Sequence, residues 1–139
     1  MAGDLVIEKI RRNPGKKTFD EIALFTLPMA DEAAIVPMIL DDALASLYRA
    51  MTEGMTWVAR ADGALVGILT MIGSPYWYNH GQTLWVNQLL YVTPDARGTQ
   101  ATAQLCRAAR DALLALGDHG VVHVLNPSLR RGFRIIPLC

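Results

Sequence analysis

The segment Tyr91–Leu105, YVTPDARGTQATAQL, constrains the fold more than any other part of this chain. Its first two residues, one aromatic and one β-branched, predict the end of a strand. From Thr99 to Leu116 the apolar residues recur at helical spacing, and Gly117 predicts the end of that helix. A strand that passes so directly into a helix is typical of a mixed α/β domain. The helix stripe that faces the core is predicted to contain Leu105, Ala109, Ala112, Leu113 and Leu116.

The start of this helix is also a candidate anion site. The first N–H groups of a helix have no partner within the helix and point along its axis, at the positive end of the dipole. There they form a site suited to phosphate. Gly98 lets a ligand approach the backbone, and Arg97 can donate a charge-assisted hydrogen bond to a phosphate oxygen. The residues alone leave an ordinary loop as the alternative.

The first third of the chain contains a strand pattern and then helical patterns. Asp4–Arg12 predicts a first strand, and Phe19–Leu27 fits either a strand or a helix. A helical pattern begins with Asp31 as its N-cap and extends to Met51. Pro37 lies too deep for a first turn, so we expect a kink or two consecutive helices there.

The remaining elements are strands. Two apolar runs flank Asp62-Gly63 within Thr56–Gly73, which predicts a hairpin with a tight turn. We expect Gly73–Gly81 to form a loop, and further strands at Thr83–Val92, Gly120–Asn126 and Phe133–Leu138. No linker or repeat divides the chain, so a single domain is expected over residues 1–139. The last predicted strand contains apolar residues, and such a strand at the edge of a sheet invites pairing with another chain, which predicts a homo-oligomer or a place in a larger assembly.

Composition excludes some classes of function. Thirteen basic and thirteen acidic side chains cancel, so no net field favours nucleic acid or an anionic membrane. The basic clusters at 11–17 and 130–134 are the sole basis for a nucleic-acid alternative. No apolar run reaches the roughly 18 residues of a spanning helix, and the N-terminus does not resemble a signal peptide. Two cysteines imply no disulfide framework, so we expect a reducing, cytoplasmic setting. The apolar fraction of 52% indicates a partner over part of the surface.

The segment LYVTPDARGTQATAQLCRAARDALLALG, Leu90–Gly117, resembles the acetyl-coenzyme A-binding segment of the GNAT-type N-acetyltransferase superfamily. In that family a strand ends in a Leu-Tyr-Val-x-Pro-like run, and Arg-Gly-x-Gly-x-Gly/Ala then opens a helix. The upstream ADGALVGILTM is similar to the family's hairpin, and the downstream GVVHVLN and RRGFRIIPL are similar to its next strand and its Gly-Phe terminus. The resemblance covers residues 31–138, and residues 1–30 form an N-terminal strand and arm.

The resemblance implies a fold, a reaction and a binding site. The implied GNAT fold is an α/β (α+β) domain whose mixed, mostly antiparallel sheet is splayed after the fourth strand and flanked by helices. The implied reaction moves an acetyl group from acetyl-CoA to an amine of an unknown small molecule or protein, without a metal. Leu90 and Val92 would offer backbone groups to the pantetheine arm and the following loop would hold the pyrophosphate. The implied cofactor-binding residues are Leu90, Val92, Arg97, Gly98, Thr99, Gln100, Ala101, Thr102 and Asn126.

Two positions of the phosphate-binding pattern differ from the family. Gln100 and Thr102 stand where the family has its second and third small residues. If their backbone angles are helical, the larger residues fit without strain and their N–H groups still bind phosphate. If either residue needs a positive φ, the site is spoiled. The same loss of glycines resembles some phage-encoded members, which predicts a viral origin and a location in the host cytoplasm or the virion.

The catalytic residues of the family have no clear counterparts here. Many members use a tyrosine about one turn before the Gly-Phe pair, and the seven-residue step from Asn126 to Phe133 contains none. Asn87 and Gln88 stand where some members carry a glutamate base. The remaining candidates are Tyr78, His80 and Gln88. A role of the aromatic segment around Tyr78 in packing or partner contact is the alternative.

The histidines and cysteines give no sign of a metal site. His119 and His123 have the spacing of a helical zinc pair, but Gly120 and the valines around it predict turn and strand, so the two would not face one site. Cys106 is interpreted as a small buried residue in the helix. Since the expected acid and base are absent, a catalytically silent GNAT-fold module, for example in a phage particle or another assembly, stays open beside the acetyltransferase.

Overall fold

The computed structural model describes residues 4–33, 36–96, 100–125 and 133–139. Three α-helices lie within these ranges: α1 (Lys16–Ala33), α2 (Leu40–Glu53) and α3 (Ala101–Leu116). The strands are β1 (Leu5–Ile10), β2 (Met55–Ala61), β3 (Ala64–Tyr76), β4 (Asn79–Val92), β5 (His119–Leu125) and β6 (Phe133–Pro137).

The six strands form one sheet in the order in which they follow along the chain. All neighbours are antiparallel except β4 and β5, which are parallel and are joined through α3. On one face, α3 buries Leu105 and Leu113 against Trp57, Leu69 and Val122. On the other face, α1 and α2 cover the sheet, with the core formed by Ile10, Ile22, Leu47, Met51, Val58 and Ile68. The fold is therefore a mixed sheet between two helical layers, as the sequence predicts.

The region between β1 and β2 departs from prediction in one respect. Phe19–Leu27 lies within α1, because its apolar residues, such as Ile22, recur at helical spacing and face the sheet. Asp31 lies in the last turn of α1, so its predicted role as an N-cap is wrong. Pro37 stands between α1 and α2, which confirms the two consecutive helices. Asp31 thus belongs to the end of α1 and does not cap the start of α2.

The predicted loop at Gly73–Gly81 is wrong. Strand β3 continues to Tyr76, β4 begins at Asn79, and Tyr76 pairs with Asn79 across the turn. Cross-strand pairing overrides the turn-forming residues of this segment, so the two strands extend as a long hairpin. The tight turn between β2 and β3 is confirmed, because Asp62 and Gly63 both have positive φ, at 52° and 83°.

The helix α3 confirms most of its predicted pattern. Leu105, Ala109 and Leu113 are fully buried and Ala112 is half-buried, but Leu116 is 59% exposed, so its predicted burial is wrong. Leu116 is the last residue of α3, and the chain leaves the helix at Gly117. Gly117 has a φ of 73° and its N–H bonds to the carbonyls of Leu113 and Leu114, as expected of a glycine after a helix.

Candidate functional site

The parallel strands β4 and β5 part from each other. They are paired only at Leu84–His119, Trp85–Gly120 and Val86–Val121. Beyond Val86, β4 continues for six residues and β5 for four beyond Val121, without further register pairs between them. The sheet is therefore open along its fourth and fifth strands, and we call this space the β4–β5 opening. Its closed end, or apex, lies just beyond Val86 and Val121.

An irregularity of β4 lies at the apex. Asn87 pairs with Met71 of β3 and Leu89 pairs with Thr70, so Gln88 has no partner residue on β3. This one-residue bulge re-aims the strand. The Asn87 side chain spans to β5, where its Nδ2 donates to the carbonyl of His123 at 2.9 Å and its Oδ1 accepts from the N–H of His123 at 2.6 Å. The Asn87 side chain thus connects β4 and β5 just beyond the last backbone register pair between them.

The backbone of β4 beyond the bulge is directed in a regular way. The Thr93 N–H donates to the Val66 carbonyl at 2.8 Å, and the same register pairs Val92 with Gly67 and Leu90 with Leu69. Bonded and non-bonded pairs alternate in an antiparallel ladder. The backbone N–H and C=O groups of Leu90 and Val92 are therefore directed away from β3, towards the β4–β5 opening.

The helix α3 begins beside the far end of β4. A one-turn 3₁₀ helix at Pro94–Ala96 follows Val92, and Gln100 is the N-cap residue of α3, with its carbonyl accepting from Gln104 N–H at 2.8 Å. Gln100 has φ −83° and ψ 6°, and Thr102 lies within the helix. Neither residue needs a positive φ, so both larger side chains fit without strain. Arg97, Gly98, Thr99 and Asn126 lie outside the described residues.

The packing of α3 against the sheet is close at this end. A Cβ on Gly67 would lie 3.2 Å from Leu105 Cδ1 and 3.3 Å from Val92 Cγ2. Because Gly67 has no side chain, Leu105 packs directly over the strands next to the opening. Ala101, in the first turn of α3, is fully buried. The helix start is thus held against β3 and β4 by small side chains.

Two of the three candidate catalytic residues lie far from the third. Tyr78 is in the turn between β3 and β4 and His80 is near the start of β4, and both are exposed. Gln88 lies at the bulge, eight residues after His80 on the same strand, which is about 26 Å of extended chain. Gln88 and the aromatic turn therefore cannot act on one reacting group. The turn, with Trp77 87% exposed, lies at the opposite end of β4 from the opening.

The histidines of β5 are separated in the same way. His119 pairs with Leu84 at the end of the paired segment that is farther from the opening, whereas His123 lies beyond the last register pair. Four residues of strand span about 13 Å, too far for one metal ion. Within the described ranges, no group of three or more His, Cys, Asp or Glu side chains could hold a metal. Cys106 is half-buried in α3, and burial raises the pKa of its thiol.

The basic turn after β1 is partly engaged within the chain. Arg12 Nε donates to the Gly54 carbonyl at 2.9 Å, and Lys16 pairs with Asp20 at 2.7 Å on the surface. The hydrogen bond to Asp20 raises the pKa of Lys16. These contacts favour a structural role for the turn. No helix in the described part of the chain has both the length and the apolar character needed to cross a membrane.

Sequence reasoning missed the bridge at the apex. The sequence presents Asn87 only as a residue in the place of a glutamate, and His123 only as a histidine four residues after His119. A signal for the bridge exists, because Asn87 is a polar residue in the middle of the apolar run LWVNQLLYV. Such a side chain needs a hydrogen-bonding partner when the strand is buried. Its partner is 36 residues away, so no local pattern could identify it.

The opened parallel pair, the bulge and the helix that starts beside them together define the GNAT fold of N-acetyltransferases. The structure is similar to ribosomal-protein-alanine N-acetyltransferase from Brucella melitensis biovar Abortus 2308, with TM-score 0.65 and 18% identity over 91% of this chain and 83% of that one. It is also similar to a predicted acetyltransferase from Clostridium acetobutylicum, solved with acetyl-CoA, with TM-score 0.62 and 12% identity over 86% of this chain and 79% of that one.

A third similar structure is an aminoglycoside 6′-N-acetyltransferase complexed with coenzyme A, with TM-score 0.62 and 19% identity over 88% of this chain and 64% of that one. No protein-family model and no curated protein matches the sequence. At these identities the similarity establishes the fold.

Proposed function

We propose that this protein is an N-acetyltransferase that moves the acetyl group of acetyl-CoA to an amine. The observation that carries the proposal is the β4–β5 opening, which directs the backbone groups of Leu90 and Val92 into a slot beside the start of α3. A pantetheine arm carries amide groups, which can pair with strand backbone in the manner of an added strand. The structural neighbours solved with acetyl-CoA and with coenzyme A support the same ligand.

The pyrophosphate would be held at the start of α3. The N–H groups of its first turn point out of the helix towards the residues that precede it, at the positive end of the helix dipole. Arg97 would add a charge-assisted bond. The ordinary backbone angles of Gln100 keep this turn regular, so the absence of further glycines does not count against phosphate binding. This site has no need of a metal.

Positioning is the main contribution that such a site makes to the reaction. Holding a thioester and an amine together is worth about 7–11 kcal/mol of activation free energy when the geometry is favourable. The bulge at Gln88 lies at the apex of the opening, where the thioester end of a ligand paired with Leu90 and Val92 would lie. The acceptor is an amine-bearing small molecule or protein, and the names of the neighbours offer two probes, an aminoglycoside and an alanine-bearing peptide.

Calorimetry and thermal unfolding with acetyl-CoA test the proposal. We expect saturable binding and a rise in Tm, because a ligand that prefers the native state stabilises it. Arg97→Glu should weaken binding by about 10- to 100-fold, the value of a lost charge-assisted hydrogen bond, and Arg97→Lys by much less. Arg107→Glu, on the exposed side of α3, is the matched control and should bind as the wild type does.

The result that contradicts the proposal is the absence of both heat and thermal shift with millimolar acetyl-CoA. In that case the opening would be a remnant of the fold, and a silent module would be the better description. If acetyl-CoA does bind, transfer to sisomicin or to a peptide with alanine at its N-terminus identifies the class of acceptor. The release of free thiol measures the transfer.

A further inference from the structure

The last register pair between β4 and β5 is Val86–Val121. Beyond it, His123 is the first residue of β5 whose side chain lies on the face of the sheet that α1 and α2 cover. Val122 is fully buried on the opposite face, in the core under α3. Since side chains alternate along a strand, Val121 and His123 belong to the other face. His123 is half-buried at the apex of the β4–β5 opening. Its imidazole therefore belongs to the edge of the slot and not to the core.

Asn87 fixes the backbone of His123 at two points. The carboxamide donates to the His123 carbonyl at 2.9 Å and accepts from the His123 N–H at 2.6 Å, in a partly buried setting. One side chain therefore holds both main-chain groups that this residue directs towards β4. A residue held at its N–H and its C=O has a fixed Cα–Cβ direction. Asn87 thus positions His123 relative to the bulge at Gln88.

The neighbouring elements contribute few other ionisable groups on this face. From Leu84 to Leu90, β4 has no ionisable side chain, and Tyr91 lies further along and packs edge-on against Phe25 at 6.4 Å. Ile135 of β6 is the register partner of His123. The charged residue of β6 is Arg134, whose side chain lies outside the described set, and α3 packs on the opposite face. Among the described side chains of β4 and β5 near the apex, His123 is therefore the one that can accept a proton near neutral pH.

We propose that His123 is the general base of the acetyl transfer, and this inference rests on the proposed function. The amine nitrogen forms a bond to the thioester carbonyl carbon and loses a proton to the His123 imidazole. The carbon–sulfur bond then breaks, and the imidazolium gives the proton to the departing sulfur. The products are an amide and the free thiol of CoA, and the base is restored. Imidazole suits this role, because its ordinary titration range lies close to neutral pH.

His123→Gln is the test, and His119→Gln is its matched control. Both histidines lie on the same face of β5, but His119 pairs with Leu84 at the end of the paired segment that is farther from the apex. With acetyl-CoA and sisomicin or the alanine peptide, we expect His123→Gln to lower kcat/KM about 100-fold at neutral pH, the usual contribution of a general base. The acidic limb of its pH profile should disappear, while the Kd for acetyl-CoA stays unchanged. His119→Gln should keep both the rate and the limb.

Asn87→Asp separates positioning from proton transfer. The new carboxylate still accepts from the His123 N–H but can no longer donate to the His123 carbonyl. We expect a lower kcat with the acidic limb retained, because the imidazole is still present. A loss of the limb in this variant would contradict the assignment of that limb to His123.

The outcomes distinguish the two proposals. If acetyl-CoA does not bind the wild-type protein, the proposed function fails. If it binds and transfer occurs, but His123→Gln keeps its rate and its acidic limb, the base is another group and this inference fails. If it binds and neither amine is acetylated, hydrolysis of acetyl-CoA is followed against pH. Hydrolysis that is absent, or that is unchanged in His123→Gln, likewise overturns the role of His123.

Discussion

Three threonine residues, one on α1 and one on each of the strands β2 and β3, have buried hydroxyl groups. Thr26, Thr56 and Thr70 are each at most 3% exposed, and Thr56 and Thr70 are cross-strand partners. None of the three hydroxyls has a hydrogen-bond partner among the described residues. A buried hydroxyl without a partner costs about 1–3 kcal/mol of stability.

We therefore expect the double variant Thr56→Val/Thr70→Val to unfold at a higher temperature, with a gain of about 1–3 kcal/mol in the free energy of unfolding. Valine keeps the shape of threonine and removes the hydroxyl. Thr52→Val is the control, because the Thr52 hydroxyl on α2 has a partner and donates to the Tyr48 carbonyl at 2.9 Å. Denaturant unfolding measures all three proteins. A loss of stability in the double variant would mean that the hydroxyls are bonded in solution.

At the scale of elements, the joint between α2 and β2 depends on one glycine. Gly54 bonds through its N–H to the Ala50 carbonyl at 2.9 Å, and its own carbonyl accepts from Arg12. A Cβ at this position would overlap the Met71 carbonyl oxygen and lie 2.8 Å from the Ala50 carbonyl oxygen. Both obstacles are backbone atoms, which cannot move aside as a side chain would.

Gly54→Ala should therefore lower the free energy of unfolding by about 1–3 kcal/mol, the usual cost of overpacking. Gly81→Ala is the matched control, because the nearest atom to its Cβ would be 3.4 Å away and the site is exposed. Its stability should stay equal to the wild type or rise by less than about 1 kcal/mol, since alanine is favoured over glycine within a strand. Equal stability of the two variants would show that the joint can relax.

At the scale of the whole molecule, the sheet has two edges of different character. The β1 edge carries Glu8 and Lys9, and Lys9 lies over the Trp57 ring at 5.8 Å from its centroid. Within the described ranges, β6 pairs with β5 alone, and Ile135 is 55% exposed on it. An edge strand with apolar residues favours pairing with another chain. We therefore expect self-association along β6.

Sedimentation at tens of micromolar protein tests this expectation. The wild type should sediment as an oligomer, and Ile135→Lys should shift it towards monomer, because charge on an edge strand opposes pairing. Val6→Lys changes a comparably exposed residue on the other edge and should leave the oligomer intact. A monodisperse wild-type monomer would rule out the β6 edge as an interface.

Local chemistry accounts for what the sequence could predict. Asp62-Gly63 and Gly117 act through their own backbone angles, so the hairpin turn and the end of α3 could be read directly. The opening was expected only through resemblance to a family. The local residues of Asp31 and of the segment 73–81 do not predict their conformation, because neighbouring apolar positions and cross-strand pairing decide it. The Asn87 bridge depends on tertiary structure alone, and no short segment encodes it.

The ordinary backbone angles of Gln100 bear on how such a chain can change over time. If main-chain N–H groups of a regular helical turn bind the phosphates, the backbone conformation does not require small residues at positions 100 and 102. Mutation can then replace the small residues of the Arg-Gly-x-Gly-x-Gly/Ala pattern one after another without bending the turn. The relationship of such a protein to its family would then no longer be visible in the sequence motif of this loop, but it would still be visible in the fold of the sheet.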